Sequence, residues 1–189
     1  MTAAHRQRLS HDEYLALEQR TGVKHEFFDG QAWAMAGGTP AHAELSFTVG
    51  VALRGLIGDG RCRVYSSDLK LRVVATGLDT YADAVVVCGP RETAPDDPNA
   101  VTNPTVIVEV LSDSTERYDR GVKFQNYRQI PTLRAYVLVS QWERRVEVLT
   151  RDGENWLYTQ SIEGGAVPLA PLGGAIPVDA VYDGVELTG

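Results

Sequence analysis

Hydrophobic positions along the chain fall mainly into short strand-like runs, and the clearest of these runs spans 105–111. Its apolar residues occupy both faces of the predicted strand, a pattern typical of a strand buried between two layers. Val106, Val108 and Val110 are predicted to face one layer, and Ile107, Glu109 and Leu111 the other. A carboxylate in such a strand is costly unless it is paired or binds a metal. The rest of the chain should therefore explain Glu109.

Caps and three- or four-residue spacings predict three helices. One starts at a Ser10–Glu13 capping box and ends near Gly22, one runs from Thr39-Pro40 to Gly58, and one covers about 115–129 after a capping box at Asp113 and Glu116. Gly121, inside the third helix, costs about 1 kcal/mol relative to Ala, which suggests that another group approaches it closely.

Alternation and turn residues predict a larger number of strands. They cover 24–28 and 31–36 around an Asp29-Gly30 hairpin turn, then 61–65, 68–74, 80–88, 105–111 and 133–139, and a terminal hairpin of 144–150 and 155–159. Residues 89–104 are rich in proline and are predicted to form a long surface loop. Ile176, Val178, Val181 and Tyr182 should pack a final short segment.

Length and composition indicate one ordinary globular domain. The 189 residues fit a single domain over 1–189, with a helix and hairpin at 10–36, a core at 39–140 and a terminal hairpin and tail at 143–185. No apolar run is long enough to cross a membrane, and the N-terminus lacks the apolar region of a secretory signal. Cys62 and Cys88 are expected to be buried, reduced thiols, and the expected location is the cytoplasm.

The charge distribution argues against a generally basic nucleic-acid-binding surface. The formal net charge is −7, and proteins that bind nucleic acid non-specifically are usually basic. The segment 117–134 is the exception, because it has five basic residues and one acidic residue, a local net charge of +4. A local basic groove therefore remains compatible with the sequence.

Two carboxylates in otherwise apolar strands, Asp83 and Glu109, are the strongest candidates for chemistry. If their strands are neighbours, the two side chains converge, and Mg²⁺ prefers a pair of carboxylates with water and a substrate phosphate. Such an ion polarises a phosphoryl oxygen and lowers the pKa of its bound water. The alternative is that each acid forms a strand-end salt bridge with an arginine.

The third helix adds a polar stripe to this pair. Asp119, Lys123 and Tyr127 recur every four residues and so lie on one face. A lysine near a phosphate would stabilise the transition-state charge, whereas the alternative is a solvated Asp119–Lys123 pair of a few tenths of a kcal/mol. His42 and Glu44, early in the second helix, are further candidates that could equally be a cap or a solvated side chain.

These residues resemble the signature of the Uma-two family of putative restriction endonucleases. The resemblance is carried by Asp83 and by the run from Glu109-Val-Leu-Ser through Thr115, Asp119, Lys123 and Tyr127, with weaker support from 26–30 and His42. It covers roughly 10–185. It implies an α/β restriction-endonuclease-like fold, a central mixed sheet flanked by helices, and a metal-dependent PD-(D/E)XK nuclease site.

Carried over by position, Asp83 and Glu109 match the two acids of that motif. Ala82 replaces the proline before the first acid, which changes only the backbone geometry at the start of the strand. Leu111 stands where the motif lysine is expected, so Lys123 is the family-like substitute and Lys70 a poorer one.

The leading hypothesis from sequence is an endonuclease that hydrolyses DNA with Mg²⁺ or Mn²⁺. Asp83 and Glu109 would bind the metal, Lys123 would assist the attacking water, and Arg117, Arg120 and Arg128 would contact phosphates. Its rival is an inactive nuclease-fold binding or scaffold protein, favoured by the acidic charge and Leu111. A zinc hydrolase built on His25 and His42 lacks ligand spacing. A homodimer with the N-terminal hairpin as its contact is also expected.

Overall fold

The protein, seen in a computed structural model that describes residues 8–187, is built on two six-stranded sheets. Residues 1–7 and 188–189 lie outside the described residues, and the expectation about a secretory signal falls on that N-terminal part. None of the described helices has the length and apolar content to span a membrane. The sequence predicted the α/β class correctly, but predicted one central sheet instead of two.

The helices of the described residues differ in length, and the second is the longest. They are α1 (His11–Thr21), α2 (Pro40–Ile57), α3, which joins α-helical turns at Glu116–Tyr118 and Phe124–Tyr127 through a π-helical turn at Asp119–Lys123, and α4 (Val178–Val181).

The strands follow one another closely. They are β1 (His25–Phe28), β2 (Gln31–Ala34), β3 (Cys62–Ser66), β4 (Lys70–Val73), β5 (Leu78–Tyr81), β6 (Ala84–Cys88), β7 (Thr93–Ala94), β8 (Asp97–Val101), β9 (Val106–Val110), β10 (Ala135–Val139), β11 (Arg145–Asp152), β12 (Asn155–Ile162), β13 (Ala166–Leu169) and β14 (Gly174–Pro177).

Sheet 1 has the strand order β2-β1-β5-β4-β8-β7, and sheet 2 the order β12-β11-β10-β9-β6-β3. Both sheets are mixed, because β4 pairs in parallel with β8 and β9 pairs in parallel with β10, while the other pairs are antiparallel. β13 and β14 form a separate hairpin. The N-terminal and C-terminal hairpins predicted from the turns are therefore confirmed, as β1–β2 and β11–β12.

Sheet 2 is covered on both faces, as the pattern of 105–111 predicted. Val106, Val108 and Val110 of β9 pack in one apolar cluster with Leu45, Val49 and Leu53 of α2. Ile107 and Leu111 pack in a second cluster, with residues of sheet 1 and with Tyr127 of α3. Glu109 shares this second face, so it lies between the sheets and is 4% exposed.

The predicted caps of the first two helices are confirmed. The Ser10 side chain accepts a hydrogen bond from the Glu13 backbone and the Glu13 carboxylate returns one, while Gly22 ends α1 in the left-handed conformation. Thr39 accepts from the His42 backbone, and Pro40 begins α2. Local chemistry of this kind is readable from sequence because it involves residues three positions apart.

Two strand predictions were wrong. The single strand predicted over 80–88 is split into β5 and β6, which belong to different sheets, and the chain crosses between them at Ala82 and Asp83. Residues 89–104 contain β7 and β8, because β8 pairs with β4 and completes sheet 1. Such pairing between distant segments overrides the local preference of prolines for loops.

The expectation of reduced thiols is corrected by a disulfide between Cys62 and Cys88. These residues are direct cross-strand partners of β3 and β6. The backbone hydrogen bond from Gly89 to Arg61 flanks the pair, which makes it a non-hydrogen-bonded pair, the closer type in an antiparallel ladder. Register between distant strands, which the spacing of the cysteines does not show, brings the two sulfurs together.

The third helix also departs from expectation. Its N-cap is Thr115, with no side-chain capping bond, so the predicted Asp113–Glu116 capping box is wrong. The expected close approach at Gly121 is absent too, since no atom of the described residues beyond its chain neighbours and the adjacent helix backbone lies within 4 Å of a Cβ built there. Gly121 instead lies in the π-helical turn, a feature that is often found at functional sites.

Candidate active site

The Lys123 ammonium lies at the centre of a buried group of carboxylates between the two sheets. Its Nζ atom is 2.9 Å from Glu109 Oε1, 3.1 Å from Glu26 Oε1 and 3.6 Å from Asp119 Oδ1. The lysine is 4% exposed. Burial alone would lower the pKa of Lys123, but the three carboxylates together raise it well above its usual value. The ammonium therefore stays charged, and a solvated Asp119–Lys123 pair is ruled out.

Glu109 is held by two donors on one oxygen. Besides Lys123, the Tyr127 hydroxyl donates to Glu109 Oε1 at 2.9 Å. Burial raises the pKa of Glu109, and the Lys123 charge opposes that shift. Both of these donors contact Oε1, the same oxygen of the carboxylate.

Asp83 reaches the end of β9 from the crossover between the sheets. Its Oδ2 atom accepts a hydrogen bond from the Val110 N–H at 2.7 Å and lies 3.4 Å from His42 Nε2. Hydrogen bonding to Asp83 raises the pKa of His42, although burial opposes the shift. Asp83 and His42 are more exposed than Glu109, with 15% and 20% of their side chains accessible, and they therefore form the open side of the group.

Asp119 closes the group from the helix. It is 2% exposed, and burial raises the pKa of its carboxyl above the usual value, opposed by Lys123. Its carbonyl oxygen accepts from the Tyr136 hydroxyl at 3.1 Å, which ties the π-helical turn to β10. The stripe of Asp119, Lys123 and Tyr127 predicted from four-residue spacing thus converges on Glu109.

Glu26 belongs to this group and was not among the predicted site residues. It comes from β1 in sheet 1, and its carboxylate contacts Lys123 and the Thr80 hydroxyl. The one signal in the sequence was the weak family resemblance of 26–30, because Glu26 follows Lys24 and His25 instead of lying within an apolar run. Its partner Lys123 is distant in sequence, and only the packing of the two sheets reveals the contact.

The donor set of this group fits a hard divalent cation. Glu26, Glu109 and Asp119 surround the Lys123 ammonium and Asp83 lies beside the His42 imidazole, so acidic side chains outnumber basic ones in the group. Within the described part of the chain, no group of three or more His, Cys, Asp or Glu side chains has metal-binding geometry. Mg²⁺ needs only one or two carboxylates, since water and substrate complete its shell, and the sequence predicted Asp83 and Glu109 as that pair.

Other predicted residues lie outside the group. Glu44 is exposed on α2, and Arg117 and Arg128 are exposed on and just after α3. Arg120 is engaged structurally, since its guanidinium binds both oxygens of Glu147 at 2.7 Å and also Glu116.

The alternative lysine and the alternative metal site lie elsewhere as well. Lys70 pairs with Glu18 and Asp97, at 2.6 and 2.8 Å. Leu111 is fully buried in the apolar cluster between the sheets. The His25 ring contacts the Val23 carbonyl instead of His42, which leaves the zinc alternative without a second ligand.

Two relatives share most of the chain's length. Two Synechocystis sp. proteins, with the names "Uncharacterized protein slr1290" and "Uncharacterized protein sll1609", are 37% and 35% identical to it. The first match covers 94% of this chain and 93% of the relative, and the second covers 78% and 84%.

A solved structure shares the fold. It is described as a putative nuclease belonging to DUF820 from Anabaena variabilis, with a TM-score of 0.72 at 16% identity, over 90% of this chain and 96% of that one. The sequence model of the Uma2 family, described as "Putative restriction endonuclease", matches residues 11–176 and so includes all the acids of the buried group. The chain belongs to the Uma2 family.

Proposed function

We propose that this protein is a metal-dependent endonuclease that hydrolyses phosphodiester bonds in DNA. The observation that carries the proposal is the buried Lys123 ammonium, 2.9 Å from Glu109 and beside further carboxylates. Membership of the Uma2 family and the fold shared with a protein described as a nuclease support the same conclusion. The proposal takes Lys123 as the replacement for the lysine that Leu111 does not provide.

Asp83 and Glu109 would hold Mg²⁺ or Mn²⁺, which supplies Lewis-acid polarisation of a phosphoryl oxygen when bound. The chain's own residues then have separate tasks. Lys123 stabilises negative charge on the reacting phosphate and orients the attacking water. The Tyr127 hydroxyl fixes the Glu109 carboxylate, and the His42 imidazole fixes the Asp83 carboxylate.

Plasmid and single-stranded DNA cleavage with Mg²⁺ or Mn²⁺ tests the proposal, with wild type compared to Glu109→Gln and Lys123→Met. We expect either variant to lose at least about 100-fold in rate, as when a transition-state donor is removed. Asp97→Asn is the matched control, because Asp97 is also a buried partner of a lysine, Lys70. Cleavage by Glu109→Gln at the wild-type rate would contradict the assignment.

The second candidate is a nuclease-fold binding or scaffold protein without catalysis. The fully buried Leu111 favours it, because no lysine stands at the motif position. Calorimetry with Mg²⁺ and Mn²⁺ separates the two candidates. Metal binding that Glu109→Gln abolishes supports the nuclease, while the absence of both binding and cleavage supports the scaffold.

A homodimer with the β1–β2 hairpin as its contact completes the proposal. β2 is an edge strand of sheet 1, and Trp33 on it is 45% exposed. Unpaired backbone groups along such an edge can pair with a second copy. Light scattering should give a dimer mass for wild type and a monomer mass for Trp33→Lys, and a wild-type monomer would contradict this contact.

A further inference from the structure

Glu26 reaches the buried group from the opposite sheet and is held there by Thr80 and Lys123. Thr80 of β5 donates its hydroxyl hydrogen to Glu26 Oε1. Burial and the neighbouring Glu26 carboxylate raise the pKa of the Tyr118 hydroxyl, and the Lys123 ammonium lies 3.1 Å from Glu26 Oε1. Thr80 is fully buried. The Glu26 carboxylate is thus fixed in position before any ligand arrives.

The two acids nearest to Lys123 differ in what surrounds them. Asp83 accepts a hydrogen bond from the N–H of Val110, the residue after Glu109, and these two acids are the pair that the proposed function assigns to the cation. Among the described residues, the donors that contact Glu26 are the Lys123 ammonium of α3 and the Thr80 hydroxyl of sheet 1. A cation on Asp83 and Glu109 would draw electron density from Glu109 and repel the neighbouring ammonium. Lys123 then needs a second partner to stay where it is.

We infer that Glu26 is a positioning residue, which retains Lys123 beside the reacting phosphate when a divalent cation occupies Glu109. This inference rests on the nuclease function proposed above. Asp119 is the other nearby acid, but its contact of 3.6 Å is longer than a normal hydrogen bond. Once a cation binds Glu109, Glu26 is therefore the acid of the group that is both close to Lys123 and negatively charged.

Glu26→Gln tests this role, because glutamine keeps the shape and can still accept from Lys123 but has no charge. Glu18→Gln is the matched control, since Glu18 also pairs with a buried lysine, Lys70, at 2.6 Å. Calorimetry measures Mn²⁺ affinity, thermal unfolding measures stability, and plasmid cleavage gives kcat and KM. Thr80→Val, which removes one donor to Glu26, provides a milder perturbation if Glu26→Gln fails to fold.

We expect Glu26→Gln to bind Mn²⁺ about tenfold more weakly and to lose at least about tenfold in kcat, the range seen for groups that orient metal ligands. The KM of Glu26→Gln should stay close to the wild-type value, and its Tm should stay close to that of Glu18→Gln. Thr80→Val should shift Mn²⁺ affinity in the same direction by less.

Mn²⁺ affinity of Glu26→Gln within twofold of wild type would overturn the inference, as would an equal loss in Glu18→Gln. A wild type that binds Mn²⁺ but cleaves no DNA would reject the proposed nuclease, while the Mn²⁺ measurements would still decide the role of Glu26. A wild type that binds no Mn²⁺ would overturn both.

Discussion

Two buried lysines show how similar ion pairs can differ in consequence. Lys70 lies between two carboxylates, those of Glu18 and Asp97. Lys123 lies among three, and Asp83 adds a fourth nearby. Acidic side chains outnumber basic ones around Lys123, whereas around Lys70 the Tyr81 hydroxyl also donates to Glu18. On this difference we propose the Lys123 group, and not the Lys70 group, as the functional site.

Glu147 provides a pH-dependent prediction away from the candidate site. Hydrogen bonding to Arg120 lowers the pKa of Glu147, although burial opposes the shift. A lowered folded-state pKa means that the stabilisation is present above the unfolded pKa of about 4.3 and is lost as pH falls through the folded value. Glu147→Gln should lower the free energy of unfolding by about 2 kcal/mol at pH 7, and the deficit should shrink below pH 4.

Urea unfolding at pH 7 and at pH 3.5 measures this effect. Glu143→Gln is the control, because Glu143 is 60% exposed in its pair with Arg145 and should change stability by less than about 0.5 kcal/mol. A deficit in Glu147→Gln that is the same at pH 7 and pH 3.5 would show that its charge does not matter.

The sequence predicts individual site residues where a single element carries them. Glu109 stands out as a charge in an apolar strand, and Asp119, Lys123 and Tyr127 share one helical stripe. Glu26 and the engagement of Arg120 by Glu147 escape prediction. Both depend on contacts between distant segments, and local periodicity contains no information about which surfaces meet.

At the scale of elements, the π-helical turn in α3 gives a simple test. Gly121 has open space around it, and its φ is not positive, so alanine fits without strain. Gly121→Ala should raise the free energy of unfolding by about 0.5–1 kcal/mol, because alanine restricts the unfolded chain. Gly22→Ala is the contrast, since its φ of +65° should make that change destabilising by about 1 kcal/mol. Chemical denaturation of both variants checks the opposite signs.

The disulfide joins β3, an edge strand of sheet 2, to β6, the strand that follows Asp83. Its cysteines are 26 residues apart, so closing that loop restricts the unfolded chain by about 3–4 kcal/mol. Reduction should lower the free energy of unfolding by this amount. Urea titrations with and without dithiothreitol measure it, and a Cys62→Ala, Cys88→Ala double variant should not respond to the reductant.

Elements were predictable where their limits are set locally and not where sheet pairing sets them. The caps of α1 and α2 and the turn at Asp29-Gly30 have defined sequence signals, and Asp29 and Gly30 do adopt positive φ. The break between β5 and β6 has no such signal, because no glycine or proline stands between Tyr81 and Ala84. The Asp83 side chain ends the run by accepting the hydrogen bond of Val110.

At the scale of the whole molecule, charge limits how DNA can bind. The net charge of −7 should keep affinity low except along the basic segment of α3. Arg117→Ala and Arg128→Ala should each reduce the slope of log K against log salt concentration by about 0.9. Fluorescence anisotropy across a salt series measures the slope. Arg91→Ala is the control, as an exposed arginine of the β6–β7 connection, and an equal effect there would indicate non-specific attraction.

The alternation of the chain between the two sheets has a kinetic consequence. Between β2 and β9 the chain passes from one sheet to the other five times, so neither sheet is made from one contiguous stretch. Many contacts therefore join residues far apart in sequence, and such topologies fold slowly. Glu26 lies in β1 of sheet 1, whereas Lys123 lies in α3, which follows β9 of sheet 2. During refolding, the metal affinity that the proposed function requires should thus return only with the global folding step, after any early helix formation in α1 or α2.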